Sequence, residues 1–185
     1  MSSHHIVREN QEPALLIANA HAISFEKVQE LLEWMPTIVV VETEIETVLS
    51  WGIKVDVLIV PASELTAWET RLADQFPIKI VPLDSDKDSL TAAFNFLMRS
   101  DAKAINCLLQ TKDQLNKLEL YSQVDIEAFV DGWRWSWIKS GKFEKWVVAN
   151  TMLHIYPDER VIEVEEDGIF LFTQDRGFWL GEEVD

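Results

Sequence analysis

Three carboxylates of this chain stand where an apolar run gives way to a helical pattern. Glu42 closes the run 38–41, and Asp86 and Asp88 lie in Asp84-Ser85-Asp86-Lys87-Asp88, directly after the run 78–83. The carboxyl ends of strands in an open parallel sheet are where ligands bind, and a hard cation such as Mg²⁺ suits carboxylate and phosphate oxygens. Glu42, Asp86 and Asp88 are therefore the catalytic candidates. The cluster has a second use: acids favour a helix N-terminus through its dipole, with Asp88 or Ser85 as cap.

Other chemistry is sparse. There are six glycines, and only Gly52 precedes residue 132. No glycine-rich loop follows a strand, so a backbone cradle for phosphates of the P-loop or dinucleotide type is not expected. His4, His5, His21 and His154 have no ligand spacing within one element, and no metal site is assigned. Cys107 is the single cysteine and sits in an apolar run, which reads as core. No Ser, Cys or Lys stands in a partnered nucleophile motif. Trp133, Trp135 and Trp137 alternate and so share one strand face. Such a row can pack a second sheet, a dimer partner or a planar ligand, and these three are the ligand-binding candidates.

Charge narrows the partners. The net charge of the 185 residues is −16, against a nucleic-acid backbone or an anionic membrane surface as partner. Ten of the acids lie between Asp158 and Asp185, as a solvated edge or as a docking surface for a basic protein. No apolar run approaches the roughly 20 residues of a membrane span, and a cytoplasmic protein is expected.

The elements that must position these residues fall into two groups. Apolar runs 14–18, 38–41, 55–60, 78–83 and 104–109 read as buried strands, separated by helical patterns. Ser24 and Asp88 are N-cap candidates, Thr111 and Gln114 are spaced as a capping box, and Gly52 suits a left-handed helix end. Such alternation predicts a parallel sheet flanked by helices. From Ser122 on, strands at 124–130, 133–139, 142–148, 152–156, 160–165 and 169–174 follow without helices. Asp131-Gly132, Ser140-Gly141, Pro157-Asp158, Asp167-Gly168 and Arg176-Gly177 supply turns of hairpin type. The fold class is α/β plus all-β: an α/β domain over 1–121 and an antiparallel β-sandwich over 122–185.

This order of elements resembles thiamine pyrophosphokinase, a family that moves a diphosphate from ATP to thiamine with Mg²⁺ held by aspartates. The family's Asp-Gly-Gly-Ala after the second strand falls at Glu42-Thr43-Glu44-Ile45. A helix end and Pro-Asp follow in the family; here Gly52 and Asp56 are kept and the proline is lost. Gly-Asp-x-Asp-Ser falls at Val60-Pro61-Ala62-Ser63-Glu64, where both aspartates are missing. Lys-Asp-x-Thr-Asp falls at Ser85-Asp86-Lys87-Asp88-Ser89, where only Asp86 matches, and Asp113-Gln114 stands for Asp-His. The resemblance spans residues 14–180, in spacing more than in identities.

It implies a relative that has lost catalysis, because phosphoryl transfer depends on the metal and electrostatic stabilisation those carboxylates supply. It implies a homodimer through the β domain, with the indole row offering an apolar face, and a thiamine-like small molecule or a protein as binding partner. One alternative is an enzyme in which Glu42, Asp86 and Asp88 form a rearranged Mg²⁺–ATP site; only then are Mg²⁺ and ATP cofactors. The other is a scaffold whose acidic C-terminal region docks a basic protein.

Overall fold

A computed structural model of the chain describes residues 12–75, 77–83, 88–139 and 141–184. In the first part, β1 (Ala14–Ile17), α1 (Phe25–Leu32), β2 (Ile38–Val41), α2 (Ile45–Ser50), β3 (Val57–Pro61), α3 (Leu65–Arg71), β4 (Lys79–Leu83), α4 (Ser89–Arg99), β5 (Ala104–Leu108) and α5 (Leu115–Leu118) alternate. The second part holds β6 (Asp125–Val130), β7 (Trp133–Ile138), β8 (Lys142–Val147), β9 (Met152–Tyr156), β10 (Arg160–Glu163), β11 (Gly168–Thr173) and β12 (Phe178–Glu183). Among the described residues, no helix is long and apolar enough to cross a membrane.

The helix ends follow the sequence. Ser24 Oγ accepts from the Lys27 amide at 3.3 Å, opening α1, and Gln114 completes the Thr111 capping box. Gly52, at φ 70°, adopts the left-handed conformation just past α2. Asp56 does something the spacing did not disclose. Its carboxylate accepts from the Ile38 amide at 3.0 Å, its own amide donates to Ile38, and its carbonyl accepts from Lys79. It therefore laces the amino ends of β2, β3 and β4, at the opposite end of the strands from the expected ligand edge.

Ten strands form one sheet in the order β10-β9-β12-β7-β6-β5-β1-β2-β3-β4. β6 through β4 run parallel, and β7, β12, β9 and β10 continue the sheet antiparallel. β6 pairs with β5, so the sheet runs unbroken past residues 121–122. β8 and β11 form a separate two-stranded sheet. Its Val147 and Phe172 pack on Leu153, Ile155, Phe178 and Leu180 of the large sheet, which makes the second layer of the β part.

Three corrections concern turns and one concerns a strand. Asp131-Gly132 and Pro157-Asp158 do join paired strands, β6–β7 and β9–β10. The connections at Ser140-Gly141, Asp167-Gly168 and Arg176-Gly177 instead carry the chain between the two sheets, because β8 and β11 pair only with each other. β12 was not anticipated: Gly181 and Glu182-Glu183 weaken its strand signature. It nevertheless lies between β7 and β9, fully paired on both sides.

The two faces of the large sheet are covered differently. α4 and α5 pack on one, with Phe94, Leu97, Leu115 and Leu118 against Leu16, Ile59, Ile105, Cys107 and Trp135. α1, α2 and α3 pack on the other, against Leu15, Ile17, Val40 and Leu58. Cys107 is wholly buried, and burial pushes its thiol far above the ordinary value, so it is inert core.

Candidate functional site

The carboxyl ends of β1, β2, β3 and β5 form the edge where the sequence placed its chemistry. The strand order switches at β1, which lies parallel between β2 and β5, and such a switch point is the position of a ligand crevice in open α/β sheets. Here the crevice is bridged by the chain itself. The amides of Ala18 and Asn19 both donate to the Leu108 carbonyl, and Asn19 Nδ2 reaches the Leu109 carbonyl at 3.3 Å.

The carboxylates along this edge are engaged locally. Glu44 Oε2 accepts from the Ala20 amide at 2.9 Å and ties the turn after β2 to the turn after β1. Glu64 Oε2 accepts from the Trp68 indole at 3.3 Å, one helical turn on. Asp88 caps α4, accepting from the Thr91 amide at 3.1 Å, and pairs with Lys117 at 3.1 Å. Burial raises the Asp88 carboxyl, but the Thr91 hydrogen bonds and the Lys117 ammonium outweigh it and hold its pKa below the ordinary value. Glu42 is half-buried and opens the turn after β2. Asp86 lies outside the described residues. Among those described, no three His, Cys, Asp or Glu side chains gather as a metal site. Glu44, Glu64 and Asp88 each hold a backbone or side-chain donor.

Trp133, Trp135 and Trp137 share one face, the one that carries α4 and α5. Trp135 is 2% exposed. Lys112 Nζ stands 4.9 Å from its ring and 5.0 Å from that of Tyr156. The Trp133 ring lies 4.1 Å from His154, and that of Trp137 5.2 Å from Trp179. Burial and the Lys112 ammonium hold the His154 pKa below its ordinary value, partly offset by Glu159, so the ring is neutral at pH 7. Trp133 and Trp135 thus pack on β9 and the helix layer, while Trp137, beside Trp179 of β12, also lines a cavity. The most exposed large apolar side chains of the β part lie elsewhere, on the outer face of β8 and β11: Trp146, Ile169 and Leu171 are 58%, 72% and 56% exposed.

A second concavity went unnoticed in the sequence. Among the described residues, no helix covers β5, β6 and β7 on the face that carries α1, between α1 and the β8–β11 layer. A cavity of about 610 Å³ lies there, lined among others by Leu31, Trp34, Asn106, Asp125, Glu127 and Ser136. A smaller one, about 290 Å³, adjoins it through Leu31 and Glu127 and reaches Lys27 and Arg134. Asn106, Glu127 and Ser136 are register partners across three strands. Their signal was present: each is a polar residue at an alternate position of an apolar or aromatic run.

No family model and no curated protein matches the chain. Its fold does match solved structures. Yeast thiamin pyrophosphokinase superposes with a TM-score of 0.67 at 8% identity, over 98% of this chain and 88% of that one. The Bacillus subtilis thiamine pyrophosphokinase gives 0.64 at 12% identity, over 93% and 98%. The Geobacillus thermodenitrificans protein gives 0.63 at 14%, over 93% and 97%. The chain therefore has the thiamine pyrophosphokinase fold, in a sequence far from these proteins.

Proposed function

We propose that this chain uses the thiamine pyrophosphokinase fold as a binding module and does not transfer diphosphate from ATP to thiamine. The observation that carries this is the engagement of the edge carboxylates. Glu44 holds the Ala20 amide, Glu64 the Trp68 indole, and Asp88 the first turn of α4 together with Lys117. A carboxylate that accepts a structural hydrogen bond has its orientation set by that donor, and turning it away toward a metal would leave the donor unpaired at a cost of about 1–3 kcal/mol. Pro61 and Ala62 offer nothing in exchange at the turn after β3. Without metal and convergent charge, the transition state of phosphoryl transfer gains little from the scaffold.

The outer face of β8 and β11 supports pairing of two copies through the β part. Trp146 and Ile169 are direct cross-strand partners, and Leu171 stands beside them on the same exposed face. Three large apolar groups side by side on a two-stranded sheet form the kind of patch that marks an interface. The acidic docking reading has less behind it. Asp158 is held by Gln174 and Arg176, Glu159 by Lys112, and Glu182 by Arg134 and Lys145.

The test is direct. Protein incubated with ATP, Mg²⁺ and thiamine should give no thiamine diphosphate and no AMP above a protein-free control, read by chromatography. Product that forms in proportion to protein, and disappears in a Glu42→Gln variant, would overturn the proposal in favour of the rearranged acidic site.

A further inference from the structure

The geometry points to the groove between α1 and strands β5 to β7 as a binding site for a small organic cation bearing an alkylated nitrogen. The row of register partners across the sheet reads Ile38, Leu15, Asn106, Glu127, Ser136, Leu180, Ile155. It is apolar wherever a layer covers it: α1 and its neighbours over Leu15 and Ile38, the β8–β11 sheet over Leu180 and Ile155. It turns polar at the three strands that no layer of the described residues covers. Adjacent strand partners stand about 5 Å apart, so the three side chains offer one small polar floor.

That floor is uncommitted. Among the described residues, the Glu127 carboxylate, the Asn106 amide and the Ser136 hydroxyl have no hydrogen-bond or ion-pair partner. Several charges around the groove are engaged: Asp125 with Lys139 at 2.7 Å, Glu30 with Lys27 at 3.3 Å, and Arg134 with Glu182 at 2.9 Å. Glu12 and Glu183 add negative charge to the lining of the larger and the smaller cavity, and Glu127, half-buried, lines both. Trp34 stands in the lining with 63% of its surface exposed, an indole with no packing role to explain it. A carboxylate on the floor and an indole in the wall of an apolar-sided cavity are the elements that hold an alkylated ammonium, by charge and by cation–π contact. The volume, about 610 Å³, falls in the range of small-molecule sites. The location is distinct from the strand edge, because Ala104 and Asp125, which also line it, are the first residues of β5 and β6.

This inference deepens the binding-module reading and rests on it. The two fail separately: thiamine diphosphate production would overturn that reading, whereas the groove stands or falls on cation binding. The experiment is calorimetric titration of the full chain with choline and with its neutral carbon isostere, 3,3-dimethylbutan-1-ol. Choline should bind, and the isostere should bind about tenfold more weakly or not at all. Glu127→Gln and Trp34→Ala should each weaken choline about fivefold. Glu69→Gln, which removes an exposed acid on α3, should leave it unchanged. Trp34 is exposed, so its variant keeps the test informative even if Glu127→Gln disturbs folding. No heat with choline up to about 20 mM would overturn the assignment. So would equal binding of the isostere, indifference to both groove variants, or an equal loss in Glu69→Gln, which would mean attraction by the overall charge alone.

Discussion

At the scale of single residues, Asp88 illustrates how one carboxylate can be diverted from ligand to structure. Its side chain takes the Thr91 amide and hydroxyl and the Lys117 ammonium, joining the start of α4 to α5. Its pKa in the folded chain lies below the ordinary aspartate value, so its contribution to stability is present above that value and fades as pH falls through the lower folded one. Asp88→Asn keeps a good N-cap and removes the charge. The variant should be the less stable protein at pH 7, by up to about 1 kcal/mol for so exposed a pair. The gap should close as the pH falls below about 3.8, the ordinary value. Urea midpoints measured from pH 7 to pH 3 check this; a gap that does not narrow in acid would mean that the charge plays no part. Asp56 makes the complementary point. It stands where the resemblance expects it and laces three strands at their amino ends, a role independent of any chemistry at their carboxyl ends.

At the scale of elements, β12 decides how the β part is built. It lies between β7 and β9 and brings Trp179 to Trp137 on one face and Leu180 to the second layer on the other. Gly181 is what lets the buried Trp135 lie across it: a Cβ at this position would stand 2.8 Å from the indole ring. Gly181→Ala should therefore destabilise the fold by about 1–3 kcal/mol, through displacement of Trp135 in a filled core. Chemical denaturation followed by tryptophan emission measures it. A change below about 0.5 kcal/mol would mean that the ring moves aside freely. The same glycine, with two glutamates after it, is why the strand was hard to read. A residue kept small to admit a neighbour looks, in one dimension, like a turn.

At the scale of the molecule, the uncovered surfaces matter most. The layers leave two: the groove over β5–β7, and the outer face of β8 and β11. The second supports a homodimer, expected as twice the chain mass by light scattering at micromolar concentration. Ile169→Asp places a charge in the centre of that face, at a position 72% exposed and so tolerant of the change in the monomer. It should yield a folded monomer with the melting behaviour of a single chain. A wild-type protein that is monomeric, or a variant that stays dimeric, would remove this face from consideration. We place the proposed pairing on this face and not on the indole row. Trp135 is buried within the chain, and Trp133 and Trp137 are packed on His154 and Trp179.

The sequence by itself determined the alternation of helix and strand, the capped helix starts at Ser24, Asp88 and Thr111, the glycine at the end of α2, the buried cysteine and the change to antiparallel strands. Each depends on near neighbours: a run of Val and Ile, a hydroxyl three residues from an amide, a glycine free to take positive φ. It also determined that Thr43 and Glu44 stand where the related motif has its two glycines and Pro61 and Ser63 where it has its two aspartates, since that is a matter of identity alone. The tertiary structure decided the rest. Whether Glu44 or Asp88 is a ligand or a brace depends on which donors other segments bring to it. Whether Asn106, Glu127 and Ser136 form one polar floor depends on the register of three strands, up to 30 residues apart from first to last. Sequence spacing places residues along an element; only packing shows which sides of that element are covered and which carboxylates are already taken.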